Sequence, residues 1–143
     1  MTNQKMESMK NLKFMLASAL LVAVSCTKEK TIDEELKEAA VSMSKLMPQV
    51  FNEGIRLDSV SAQPGKIFKY NYTLVDDVKE NVTDAEIEGF KKEAKEGALD
   101  VVKTSPDMKE FRDNDVTLKY VYYDKNGKPL ADFSIDPGEY KER

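Results

Sequence analysis

Few side chains in this sequence have the types and spacing that chemistry uses. Cys26 is the only thiol and there is no histidine. A lone thiol can be acylated, but thiolate and imidazole zinc sites, disulfides, and catalysis by Cys or His are excluded together. Ser42-Met43-Ser44-Lys45 sets a hydroxyl three residues before an amine, a nucleophile–base spacing. Asp113, Asp115, Asp124 and Asn126 supply the hard oxygens that calcium takes, and Asp76-Asp77 supplies paired carboxylates. Tyrosines at 70, 72, 120, 122 and 123 could form an aromatic platform for a sugar or a peptide.

Most of these have a plainer reading. Ser-x-x-Lys is the nucleophile motif of penicillin-binding enzymes, and Lys103-Thr104-Ser105 mimics their second element. That chemistry needs a buried serine beside a desolvated lysine and an oxyanion hole. Those enzymes are much larger than this chain, and Ser42 falls in mid-helix, on a helix whose buried face Met43 and Leu46 already define. A calcium loop needs oxygens at fixed offsets, and Asp124-x-Asn126-Gly127 is too brief; only an approach of Asp113 and Asp115 to Asp124 in space would rescue it. Nothing places two carboxylates across a cleft from each other. Tyr70, Tyr72, Tyr120 and Tyr122 fall on strand faces that alternate toward a core, leaving Tyr123 on the other face. No catalytic residue, metal site or cofactor is expected.

Cys26 is different, because its surroundings specify a reaction. Lys10 and Lys13 precede an apolar run, Phe14 to Val24, broken only by Ser18. The run falls short of the roughly 20 residues that a bilayer-spanning helix needs, and has the length of a cleavable signal segment. Ala23-Val24-Ser25-Cys26 closes it. This ending resembles a lipobox, the recognition site of the lipoprotein signal peptidase, in the looser form ending in Ser-Cys of Bacteroidota-type lipoproteins. Ala23 stands where leucine is commonest, and Val24 is larger than typical. The resemblance implies that residues 1–25 are a signal peptide, that Cys26 carries a diacylglyceryl group on sulfur and a third acyl chain on its amino terminus, and that these chains anchor the protein durably. Thr27 in place of the aspartate of inner-membrane retention favours the outer membrane. Met9 also has the look of a start.

Beyond the leader, residues 26–30 read as the lipidated cysteine and a polar tether, and 31–143 as one domain of a size that folds without staples. Residues 1–25 hold Lys5, Lys10 and Lys13 against Glu7, so 19 basic and 25 acidic residues remain beyond them. A mildly acidic surface does not suit nucleic acid, which needs clustered Lys and Arg.

The elements follow from pattern. Thr31 with Glu34, and Thr83 with Glu86, are capping boxes. Leu36, Ala39, Ala40, Met43, Leu46 and Met47 have helical spacing, ended by Pro48; Ile87, Phe90, Ala94, Ala98 and Val101 share a second helical face. Ser105-Pro106 ends that helix and can open a short turn carrying Met108 and Phe111. Ile55 to Ala62 and Ile67 to Val75 read as strands around a Gln63-Pro64-Gly65-Lys66 turn. Val116 to Tyr123 and Leu130 to Ile135 read as a hairpin, with Asn126-Gly127 suited to a type I′ turn. The expected fold is a two-layer α+β domain, α-β-β-α-β-β, with helices packed on an antiparallel-rich sheet. Lys69-Tyr70-Asn71-Tyr72 and Lys119-Tyr120-Val121-Tyr122 echo each other, but on the second strand of one hairpin and the first of the other, so no tandem repeat follows.

This part of the chain resembles a set of small uncharacterised bacterial secreted proteins. The likeness lies in Leu46-Met47-Pro48, Leu57-Asp58-Ser59-Val60, Gly65 leading to Tyr70-x-Tyr72, then Val116-Thr117-Leu118-x-Tyr120-x-Tyr122 and Asp124-x-x-Gly127. Such proteins often carry a cysteine before the last hairpin; Thr104 and Ser105 stand in that region here. Asp58-Ser59-Val60 also resembles an O-glycosylation motif of Bacteroidota-type exported proteins. The sequence thus predicts a non-enzymatic, lipid-anchored binding or envelope-structural module. Its partners would be the membrane, through the Cys26 lipid, and a protein of the envelope. The alternative is a periplasmic inhibitor or immunity-type lipoprotein acting on a toxin or hydrolase.

Overall fold

The computed structural model describes residues 28–141; the leader, Cys26 and the start of the tether lie outside the described residues. Helices begin where the sequence caps them. Helix α1, Ile32–Ser44, starts at Thr31: the Glu34 amide donates to the Thr31 hydroxyl at 3.3 Å, and the Thr31 amide donates to the Glu34 carboxylate at 2.8 Å. The same reciprocal pair, with the same two distances, joins Thr83 and Glu86 at the start of α2, Asp84–Thr104. Each satisfies two amide donors that a helix start leaves open, which stabilises a helix by about 1 kcal/mol. The far end of α2 is capped by a cation: Arg112 donates to the carbonyls of Val102 at 2.6 Å and Ser105 at 2.8 Å. Ser105 and Pro106 open a 3-10 turn, Pro106–Met108, that runs into the short helix α3, Lys109–Asp113. A last short helix, α4, spans Pro137–Tyr140.

Five strands form one sheet: β1 Gln49–Asn52, β2 Ile55–Gln63, β3 Ile67–Leu74, β4 Thr117–Tyr123 and β5 Pro129–Ile135. They lie in chain order, antiparallel throughout except between β3 and β4. A parallel pair cannot be closed by a tight turn, and α2 with its flanking turns supplies the long crossover. The fold is therefore the expected α+β arrangement, with β1 as an addition. That four-residue strand sits in what reads as a gap between Pro48 and Ile55.

The parallel join also explains the echoed tyrosine motif. Lys69 pairs with Lys119, Tyr70 with Tyr120, Asn71 with Val121 and Tyr72 with Tyr122. The two copies are neighbours in register on the two central strands, one from each half of the chain.

Helix α1 packs on β2 and α2 packs on β5. Those strands are three spacings apart, which puts the helix axes roughly 14 Å from each other. Helices in direct contact sit closer, at about 8–10 Å. The rings of β3 and β4 fill the difference, and only tall side chains could. Around them Phe68, Leu118, Ile135, Val102 and Val116 are fully buried, each contributing about 1.5–3 kcal/mol. Tyr140 of α4 closes one end, its hydroxyl donating to the Val116 carbonyl at 2.8 Å.

Three local expectations are corrected. Val101 is exposed and Val102 buried, because the stripe facing the sheet is Ala94, Ala98 and Val102, four residues apart, with Val101 on its flank. Leu46 is 39% exposed, since α1 ends at Ser44 and helical spacing no longer holds beyond it. The β4–β5 turn is not type I′: Gly127 is left-handed, with φ 81°, but Asn126 is not. Instead the Gly127 amide donates to Asp124 and the Asp124 amide to Lys128, a three-residue loop with glycine in the bulge position.

Candidate functional site

The sheet register gives the molecule two poles. Lys28 to Thr31 lead into α1 at one of them, beside the β2–β3 turn, where Asp33 accepts the amides of Gly65 and Lys66 at 3.2 and 2.7 Å. These two donors are the main reason the Asp33 carboxyl lies below the usual carboxylate range. The start of β4 is at the same pole, with the Thr117 amide donating to Lys66. The other pole is one strand length away, roughly 25 Å for the eight residues of β3. It gathers the end of α1, β1, the residues after Leu74, the start of α2 and the β4–β5 turn.

A row of rings crosses the helix side of the sheet toward that second pole. Tyr70 stacks on Tyr120 at 5.1 Å, and Tyr120 on Phe133 of β5 at 4.9 Å. One step along, Phe51 of β1 lies 6.1 Å from Tyr72, Tyr72 stacks on Tyr122 at 4.9 Å, and Phe90 of α2 stands edge-on to Tyr122 at 4.9 Å. Burial raises the hydroxyl pKa of all four tyrosines, that of Tyr122 to about 12. Among the described residues the only sealed and unpartnered polar side-chain atom is Asn71 Oδ1. Phe51 is 57% exposed at one end of the row, and Val101 is 52% exposed on the flank of α2 that Phe90 shares.

Phe90 also borders a cleft of about 340 Å³ under the segment after β3. Leu74, Ile87, Phe90 and Leu130 give it an apolar floor, and Asp76 and Asp77 stand at its rim. Both aspartates are exposed, and neither has an ion-pair partner among the described residues. Glu80 is paired nearby, with Lys128.

Asp124 holds this pole together, a role that sequence reasoning missed. It is fully buried at the end of β4. Its carboxylate accepts amides from Lys79 at 2.9 Å and from Asn126 and Lys128 at 2.8 Å each. Burial alone would raise its pKa; the three donors, with the Lys128 ammonium, outweigh that and hold it below the usual range. The link to Lys79, 45 residues away in sequence, ties the β3–α2 connection to the β4–β5 turn. The Lys125 amide, donating to Asp77, adds a second tie.

The other candidates are dispersed. Asp113 and Asp115 sit near the first pole, Asp115 paired with Lys141, a whole strand from Asp124, so the approach that calcium would need is not made. No group of three acidic side chains suited to a metal occurs among the described residues. Ser42 and Lys45 are both exposed. Thr104 and Ser105 are engaged with their own backbone, through Asp100 and Asp107. Ser59 is exposed on the face of the sheet away from the helices, accepting from Asn71 at 3.1 Å, beside an Asp58 held by Arg56 and Thr73. Cys26 lies outside the described residues. No helix among the described residues is long and apolar enough to cross a membrane.

Three solved structures share this fold. A protein of Pseudomonas aeruginosa described as secreted superposes with TM-score 0.56 at 16% identity, covering 80% of this chain and 100% of its own. The pilotin EpsS of the Vibrio vulnificus type 2 secretion system gives 0.60 at 9% identity over 78% and 94%, and the type II secretion system pilotin AspS of Vibrio cholerae gives 0.56 at 13% over 76% and 91%. At such identities the likeness is one of fold. A search of curated proteins gives no match. The sequence pattern of one family, described as a domain of unknown function, spans residues 30–131, most of the chain and nearly all of the sheet, and the chain therefore belongs to that family, DUF8479.

Proposed function

We propose that this protein is a lipid-anchored envelope protein whose folded domain binds a protein partner rather than catalysing a reaction. The observation that carries the reading is the row of rings that ends in an exposed Phe51 at the pole opposite the tether. An exposed large aromatic ring continuous with further exposed apolar side chains is the mark of an interaction surface, and Val50 of the same strand is exposed as well. The fold shared with two pilotins of type 2 secretion systems supports the same class of role, as does a leader that ends in a lone cysteine. Against catalysis stands the dispersal of the candidate nucleophiles and carboxylates, which lie exposed or engaged in capping.

Anchoring has a direct test. Cells expressing the wild type and Cys26→Ala are fed a labelled fatty acid and fractionated. Label on the wild type alone, with the variant leaving the outer-membrane fraction, is the expected outcome. Equal label on both proteins would overturn acylation at Cys26.

A further inference from the structure

We infer that Lys69 and Lys119, side by side on the face of the sheet away from the helices, form a site for a sugar acid, with its carboxylate between the two ammonium groups and its hydroxyls against Asp132.

The register builds the site. Across the parallel join Lys69 pairs with Lys119, and the same row continues to Ser61 on β2 and Ser134 on β5. Each of the four stands between two residues of the core, so all four point away from α1 and α2. The next row holds Asn71, Val121 and Asp132. Val121 is buried yet stands apart from the core cluster, an apolar spot on a polar face. A hollow of about 280 Å³ lies there, lined by both lysines, Val121, Pro129 and Asp132. Ligand pockets commonly measure roughly 300–1,000 Å³, so this one suits a single ring rather than a long chain.

Charge selects the occupant. Like charges directly opposite on neighbouring strands repel. Both lysines are half-buried, and neither has an ion-pair partner among the described residues. Asp132, one row on, bridges to neither. An anion in the hollow would take charge-assisted hydrogen bonds from both ammonium groups and relieve their repulsion. Asp132 limits how much charge that anion can carry. Two lysines and one aspartate leave a single net positive charge, which a carboxylate matches and a phosphate monoester, at about −1.5 to −2, exceeds. An ionised aspartate can only accept, so it asks the ligand for hydroxyl donors. Val121 offers contact to the C–H face of a ring. Carboxylate, hydroxyls and an apolar ring face together describe a sugar acid.

The test uses the protein purified from its envelope in a neutral detergent, titrated by isothermal calorimetry at neutral pH and fixed ionic strength. The probes are sodium glucuronate, glucose and glucose 6-phosphate. Glucuronate should bind saturably and more tightly than either of the others. Lys69→Gln and Lys119→Gln should each weaken it by about tenfold. Lys45→Gln, which removes the same charge from an exposed position just past α1, should not. Asp132→Asn should move the preference toward glucose 6-phosphate. The lysine variants should melt no lower than the native protein, because each removes a repulsion. Equal affinity for glucose and glucuronate, no saturable glucuronate binding, or affinity unmoved by the lysine substitutions would overturn the inference. So would a native preference for glucose 6-phosphate, or a preference that Asp132→Asn leaves unchanged. A lower Tm in either lysine variant would mean that the pair serves the fold, and would overturn it as well.

Discussion

Replacing Asp124 by asparagine keeps its shape and removes its charge, which isolates what the carboxylate does at the end of β4. Three amides converge on its two oxygens. An asparagine can accept at one oxygen only, and its NH₂ would face an amide donor at the other. Asp124→Asn should lower Tm by several degrees and speed hydrogen exchange at the Lys79 amide, while amides in the middle of β3 keep their protection. The pH dependence has a definite sign. Because the folded carboxyl titrates below its ordinary value, its stabilisation is present above that value and is lost as pH falls through the folded one. The wild type should therefore lose Tm more steeply than Asp124→Asn on acidification, as thermal melts across the acid range would show. Parallel slopes would mean that the ionised carboxylate is not what fastens the pole.

Among the elements, β3 and β4 place their tyrosines for height. Among the described residues the Tyr120 hydroxyl has no hydrogen-bond partner, and its ring stacks on both Tyr70 and Phe133. Tyr120→Phe should thus change stability little, whereas Tyr120→Ala should cost about 3–5 kcal/mol by opening a hole between the helices, read from denaturant midpoints. Much of this layer is legible in sequence. The capping boxes, the alternation of β3 and β4 and the short turn after Ser105 are local patterns, and local patterns report directly on backbone geometry. What stayed hidden depends on distance. The register of Tyr70 against Tyr120 is a pairing across 50 residues that neither hairpin implies. Asp124 reads as an ordinary turn residue until Lys79 is brought to it, and β1 is too short to show a period. Phe51 carries no mark in sequence of being left uncovered, because exposure is decided by what the other elements fail to reach.

For the molecule as a whole, the buried hydroxyls couple the fold to alkali. An unfolded tyrosine ionises near ~10. In the fold, burial pushes Tyr122 and Tyr140 to about 12 and moves Tyr70, Tyr72 and Tyr120 upward as well. Groups raised in this way stabilise fully below the unfolded value, and their contribution is lost as pH rises toward the folded ones. Absorbance at 295 nm should therefore show most of the tyrosinate appearing together with the loss of near-UV dichroism. A full, reversible tyrosine titration that leaves the dichroism intact would contradict the packed row.

The parallel join has a consequence for how the chain is made. Synthesis delivers the first half before the second. Until residues 117–123 arrive, β3 has no neighbour on one side, and its row of amides and carbonyls is a naked template for any extended peptide that passes. About forty residues of crossover must be completed before the rightful strand can claim it. Lys69, half-buried in the middle of that margin, is the kind of charged residue that discourages strangers at an open strand.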